Sequence, residues 1–97
     1  MAYPGIRLFD LHGRTALVTG GSKGLGKAIA DGLASAGASV VLASRHGDEA
    51  KSAAAEIAAA HGGKALGLEA DITAPEQIES MIASTTSSFG SLDILVN

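Results

Sequence analysis

Apolar positions along the chain fall into short unbroken runs that alternate with longer stretches repeating every three or four residues. Residues 14–19 and 39–44 (Ser-Val-Val-Leu-Ala-Ser) are continuous runs bounded by glycine-containing turns, the pattern of strands covered on both faces. Residues 64–70 and 92–97 read as two further strands. Between them the repeat is helical. Leu25, Ile29 and Leu33 mark one side of a predicted helix over 26–36, stopped by Gly37. Asp48 is expected to cap a second helix running to His61, with Ala50, Ala53, Ala54, Ile57 and His61 on one side and Gly62-Gly63 at its end. Thr73-Ala74-Pro75-Glu76 has the form of a capping box with proline in the first turn. It opens a third helix carrying Ile78, Met81, Ile82, Thr85 and Phe89, closed by Gly90.

The order is therefore β-α-β-α-β-α-β, which implies a parallel sheet covered by helices. Right-handed crossovers leave strand order 3-2-1-4 as the best solution. The expected fold is α/β, a doubly wound parallel sheet truncated after its fourth strand. Residues 1–13, with Pro4, Gly5 and Gly13, read as an N-terminal arm, and 14–97 as an incomplete domain.

Composition narrows the function. With 46% apolar residues but one Tyr and two Phe, the core must be built from Ala, Val, Leu and Ile. A net charge of −3 offers no footprint for nucleic acid. The absence of Cys excludes disulfides and thiolate metal sites and fits a reducing compartment, so a cytoplasmic protein is expected. Residues 1–11 lack the basic and apolar regions of a signal peptide. No apolar stretch approaches the roughly 20 residues that span a bilayer, so no membrane partner is expected.

The candidate chemistry lies in Thr19-Gly20-Gly21-Ser22-Lys23-Gly24-Leu25-Gly26, between the first strand and the first helix. A glycine turn there lets the backbone approach a phosphate and aims free helix N–H groups at it. Three motifs compete. The run from Gly21 to Lys27 looks like a P-loop, but Ala28 stands where the magnesium-binding hydroxyl belongs. Gly20-Gly21-Ser22-Lys23-Gly24 matches a nucleophile elbow, which needs strands and an oxyanion loop upstream, and only one strand precedes it. Thr-Gly-x-x-x-Gly-x-Gly fits without a defect. A glycine turn with no ligand is the plain alternative.

That third pattern resembles the cofactor loop of the short-chain dehydrogenase/reductase family, and the resemblance extends from Leu8 to Asn97. It implies a Rossmann-like fold, with Gly20 making the turn, Gly24 admitting the pyrophosphate and Gly26 allowing close helix packing. Ser22, Lys23 and Leu25 would complete the loop. Dinucleotide folds place an acid at the end of strand two to hold the ribose 2′-hydroxyl. Ser44 and Arg45 stand there instead. An acid would repel a 2′-phosphate, whereas Ser44 and Arg45 can bond one, with Lys23 as a second cation. The resemblance thus implies NADP, with NAD less favoured. The alternative is that Arg45 and Lys23 are ordinary solvated cations. Asp71 and Ile72 match the family's adenine-binding pair, although Asp71 can equally serve the turn before Thr73. Residues 92–97, Leu-Asp-Ile-Leu-Val-Asn, match the family's fourth-strand motif, which places Asn97 near the inner ribose.

Catalysis in the family uses a Tyr-x-x-x-Lys pair and a Ser. The one tyrosine, Tyr3, is followed four residues later by Arg7 and lies in the arm, so no catalytic residue is assigned. His12, His46 and His61 have no metal-ligand spacing. The intact protein is expected to be a homo-oligomeric oxidoreductase acting on a small carbonyl or alcohol. The 97 residues alone are expected to be marginally stable, prone to associate along Ile94-Leu95-Val96, and inactive. A stand-alone nucleotide-binding module and a P-loop phosphotransferase are the competing readings.

Overall fold

The computed structural model describes residues 10–20 and 23–97. It contains four strands, β1 (Thr15–Thr19), β2 (Ser39–Ser44), β3 (Ala65–Glu69) and β4 (Ile94–Val96), and three helices, α1 (Gly24–Ser35), α2 (Gly47–His61) and α3 (Pro75–Phe89). The sheet is parallel throughout, in the order β3-β2-β1-β4.

Strand side chains alternate between two cores, as a pleated sheet covered on both faces requires. Ala16, Val18, Val40 and Leu42 face α1 and α2, where they meet Ala30, Ala34, Ala53, Ala54 and Ile57. Leu17, Val41 and Ala43 point the other way, to Met81 of α3, with Ile78 and Phe89 at the margin. The helix contribution is largely alanine, so these helices lie close to the sheet. The closest approach is at Gly67 of β3, where a Cβ would stand 2.5 Å from the Ala50 carbonyl oxygen and from the Lys51 nitrogen of α2. Small residues along α2 and a missing side chain on β3 are one packing solution.

Several local expectations change. α1 begins at Gly24, two residues early, and Leu25 is 77% exposed rather than core. The buried stripe is set by Ala30 and Ala34, with Leu33 at its edge. Asp48 does not cap α2: His46 is the N-cap, without a side-chain bond, and Asp48 and Glu49 sit in the first turn where their charge suits the helix dipole. His61 is not part of the buried face, since its Nε2 pairs with Asp31 Oδ1 of α1 at 2.8 Å. The capping box also fails. Ala74 is the N-cap of α3, because Thr73 turns back and donates its hydroxyl to Asp71 Oδ1 at 2.7 Å. Thr85 is fully buried and donates its hydroxyl to the Met81 carbonyl at 2.8 Å.

β4 is the short outer strand, and Leu95 on it is 61% exposed. Its start is locked to β1. Asp93 donates its N–H to the Thr15 carbonyl at 2.9 Å, while Asp93 Oδ2 accepts the Thr15 N–H at 2.9 Å and the Ser91 hydroxyl at 3.0 Å. These bonds, the Thr15 N–H foremost, hold the Asp93 carboxyl below its ordinary range, and the Arg14 guanidinium 3.8 Å away adds to them. A depressed folded pKa means that stability is present above the unfolded value of about 3.9 and is lost as pH falls through the folded value. Asp93→Asn is therefore expected to be less stable than the parent at pH 7, with the gap closing below about pH 4. Urea midpoints measured across pH check this, and a gap that stays constant into strong acid would contradict it.

Candidate functional site

Three loops leave the carboxyl ends of β1, β2 and β3 side by side, and a cavity of about 550 Å³ opens between them. Gly20 and Lys23 form one wall, Ser44, Arg45 and His46 the second, and Asp71, Ile72 and Thr73 the third. Ala43 and Ala70 form its apolar floor. This is the position that parallel α/β sheets use for ligands.

Each wall has a local cause. Gly20 donates its N–H to the Ala43 carbonyl at 2.8 Å, continuing the β1–β2 ladder by one step before the chain turns away. Its φ of 68° and the φ of 64° at Gly24 are left-handed, so this turn needs glycine at both ends. Space beside the Gly20 Cα is open. Gly24 then begins α1, whose N-cap Lys23 makes no side-chain capping bond. The first turn of α1 carries no acidic residue, whereas α2 has Asp48 and Glu49 there and α3 has Glu76. Within α1 itself, then, no carboxylate offsets the positive end of the helix, which suits an anion site.

On the second wall, Ser44 is buried at the end of β2, and its Oγ accepts the His46 N–H at 3.0 Å, which bends the chain into α2. Arg45 between them is exposed at the cavity mouth. On the third wall Asp71 is held twice. Its Oδ1 accepts the Thr73 N–H at 2.9 Å and the Thr73 hydroxyl at 2.7 Å, and its own N–H is donated to Gln77 Oε1 at 2.7 Å. The bonds from Thr73, and the more distant charge of Arg45, hold its carboxyl below the ordinary range, so it is an anion and an acceptor at neutral pH. Ile72 beside it is 46% exposed and adds an apolar surface to this wall.

Of the residues singled out in the sequence, Gly20, Lys23, Ser44, Arg45, Asp71 and Ile72 meet around this cavity. Gly24, Leu25 and Gly26 form the first turn of α1 next to it. Ser22 lies outside the described residues. Asn97 is not among the described lining residues. It sits past β4, where Oδ1 is 2.9 Å from the Thr19 hydroxyl. Lys23 has a partner that the sequence did not reveal: its ammonium lies 3.6 Å from Glu49 Oε1. His46, Gln77 and Glu49 were all missed. His46 and Gln77 could have been flagged by nearness to Arg45 and Asp71, but nothing in the sequence brings Glu49 to Lys23, because that pair depends on how α2 lies against α1. Among the described residues no group of three or more acidic or histidine side chains could hold a metal ion, and no helix is long and apolar enough to cross a membrane.

Known proteins share this fold. The sequence profile of the short chain dehydrogenase family matches residues 14–97. A 3-oxoacyl-(acyl-carrier-protein) reductase from Vibrio cholerae is 42% identical over 88 residues, covering 91% of this chain and 34% of the relative. Glucose 1-dehydrogenase 2 from Bacillus subtilis is 40% identical over 88 residues, again covering 91% and 34%. The crystal structure of a short-chain type dehydrogenase/reductase from Mycobacterium marinum superposes with a TM-score of 0.90 at 44% identity, covering 96% of this chain and 37% of that one. The chain spans about a third of the length of each of these three proteins.

Proposed function

The chain belongs to the short-chain dehydrogenase family, and from that premise we propose that residues 14–97 are the cofactor-binding part of an NADP(H)-dependent oxidoreductase that interconverts an alcohol and a carbonyl. The observation that carries the cofactor preference is the pairing of an uncapped, acid-free α1 terminus with Ser44-Arg45, in place of an acid, across one cavity. The donor set fits a dinucleotide. The α1 terminus and the Gly20 turn take the pyrophosphate, Ser44 and Arg45 hold the 2′-phosphate, and the adenine is bonded by the Asp71 carboxylate and the Ile72 backbone. Gln77 and Thr73 keep Asp71 in place. Thr19 steadies Asn97 beside the inner ribose.

When bound, the cofactor supplies or receives a hydride. These residues hold and orient it. Residues 1–97 hold no Tyr-x-x-x-Lys pair, so the 97 residues alone are expected to bind nucleotide without turnover. Two relatives with different substrates match almost equally well, so the substrate is proposed only as a small carbonyl or alcohol. The absence of Cys is consistent with a reducing cytoplasm, and the family resemblance favours a homo-oligomer.

Amide chemical shifts in the 97-residue chain titrated with NADP are expected to move at residues 20–26, 44–46 and 71–73. Magnesium-ATP is expected to bind far more weakly, since Ala28 leaves no hydroxyl for the metal. Tighter binding of magnesium-ATP, or shifts confined to other surfaces, would reject the proposal.

A further inference from the structure

One charged side chain paired with a wall residue of the proposed nucleotide cavity has no part in holding the cofactor. Glu49 projects from the first turn of α2 and places Oε1 3.6 Å from Lys23 Nζ, a cation of the cavity wall. It also borders a second, shallow groove that includes Arg45 and His46. Glu49 therefore pairs with one of the two cations assigned to the 2′-phosphate and lines a groove with the other. The neighbouring carboxylates are placed differently. Glu69 Oε1 lies 3.4 Å from the Gly47 N–H at the start of α2 and packs against that glycine. Asp48 borders the same grooves without an ion pair to Lys23. Glu56 lies further along the α1–α2 groove, paired with Lys27.

Resting on the NADP reading, we propose that Glu49 is a specificity-determining residue, an internal counter-anion that occupies Lys23 and moderates the preference for 2′-phosphorylated adenine nucleotides. An arriving 2′-phosphate carries the same sign as Glu49 and competes with it for the same ammonium. A nucleotide with a bare 2′-hydroxyl brings no charge to that position, and the 5′-phosphate is common to both ligand classes. Glu49 thus weakens binding of the 2′-phosphorylated class more than the other. Both partners are largely solvated, with side chains 76% and 45% exposed, so the effect is modest and screened by salt.

The test is binding of adenosine 2′,5′-bisphosphate and of AMP to the 97-residue chain, by calorimetry at low and high salt. Glu49→Gln is expected to tighten the bisphosphate relative to AMP roughly two- to fivefold at low salt, with less gain at high salt. Glu49→Lys is expected to gain more. Glu56→Gln removes an equal charge from the same groove and is expected to leave the ratio unchanged. If the parent prefers the bisphosphate and loses that preference with Arg45→Ala, while Glu49→Gln changes nothing or Glu56→Gln does as much, the Glu49 inference is overturned and the NADP reading stands. If the parent does not discriminate and Arg45→Ala has no effect, the NADP reading itself falls.

Discussion

Alanine at position 67 is expected to lower the melting temperature of the chain by about 10 °C or more, and valine is expected to prevent folding. The added Cβ would meet the Ala50 carbonyl and the Lys51 nitrogen at 2.5 Å, where non-bonded carbon contacts prefer roughly 3.5–4.0 Å. The obstacle is helix backbone, which cannot rotate aside as a side chain can. Relief requires α2 to lift from β3, and α2 carries Ala50, Ala53, Ala54 and Ile57 in the core. Overpacking of well-filled cores costs about 1–3 kcal/mol and occasionally more, and a contact with fixed backbone belongs at the upper end. In a domain of this size each kcal/mol shifts the melting temperature by roughly 4–8 °C. Thermal unfolding followed by circular dichroism checks this, and an alanine variant melting within 2–3 °C of the parent would mean that α2 is not seated as described. Glycines without such a neighbour serve as controls: a Cβ at Gly32 or Gly63 meets nothing within 4 Å.

Arg45→Ala is expected to weaken NADP binding by roughly ten- to a hundredfold while leaving NAD binding within about twofold. Hydrogen bonds to charged groups contribute about 1.5–3 kcal/mol, and only the 2′-phosphate can form this one. Arg45→Lys keeps the charge without the planar fork and is expected to fall between. The ratio of the two affinities is the informative quantity, because damage to the fold would reduce both. Equal losses would show that Arg45 supports the loop rather than reading the phosphate. The margin depends on screening, since Arg45 is exposed and shares its surroundings with Asp71, Asp48 and Glu49.

The element order and the strand order were legible because their causes are local. Val40-Val41-Leu42 cannot be solvated on either side, so β2 had to be an inner strand between helical layers. Gly62 and Gly90 ended α2 and α3 where expected, each donating its N–H to a carbonyl four residues back. Local signals failed where two of them competed for one group. Thr73 could cap α3 or bond Asp71, and the Asp71 side chain two residues away won it. Leu25 has the spacing of a core residue, yet it lies in the first turn of α1, beyond the part of that helix that meets the sheet.

The same division holds at the site. The spacing of Gly20 and Gly24, the Ser44-Arg45 pair at the end of a buried strand, and Asp71-Ile72 after the next were all readable, because strand ends in a parallel sheet must lie together and the chain can be counted from one to the next. Sequence alone thus determined the α/β order, the edge at which the cavity opens and most of its walls. Tertiary structure alone decided what neither spacing nor periodicity encodes: how closely α2 lies on Gly67, and which side chains of one helix reach another. Glu49 meets Lys23, Glu56 meets Lys27 and His61 meets Asp31 only because α1 and α2 settle side by side on one face of the sheet. Those pairings lie 26, 29 and 30 residues apart in the chain, and no local rule connects them; they follow from the depth and angle of helix packing, which the summed contacts of both cores determine.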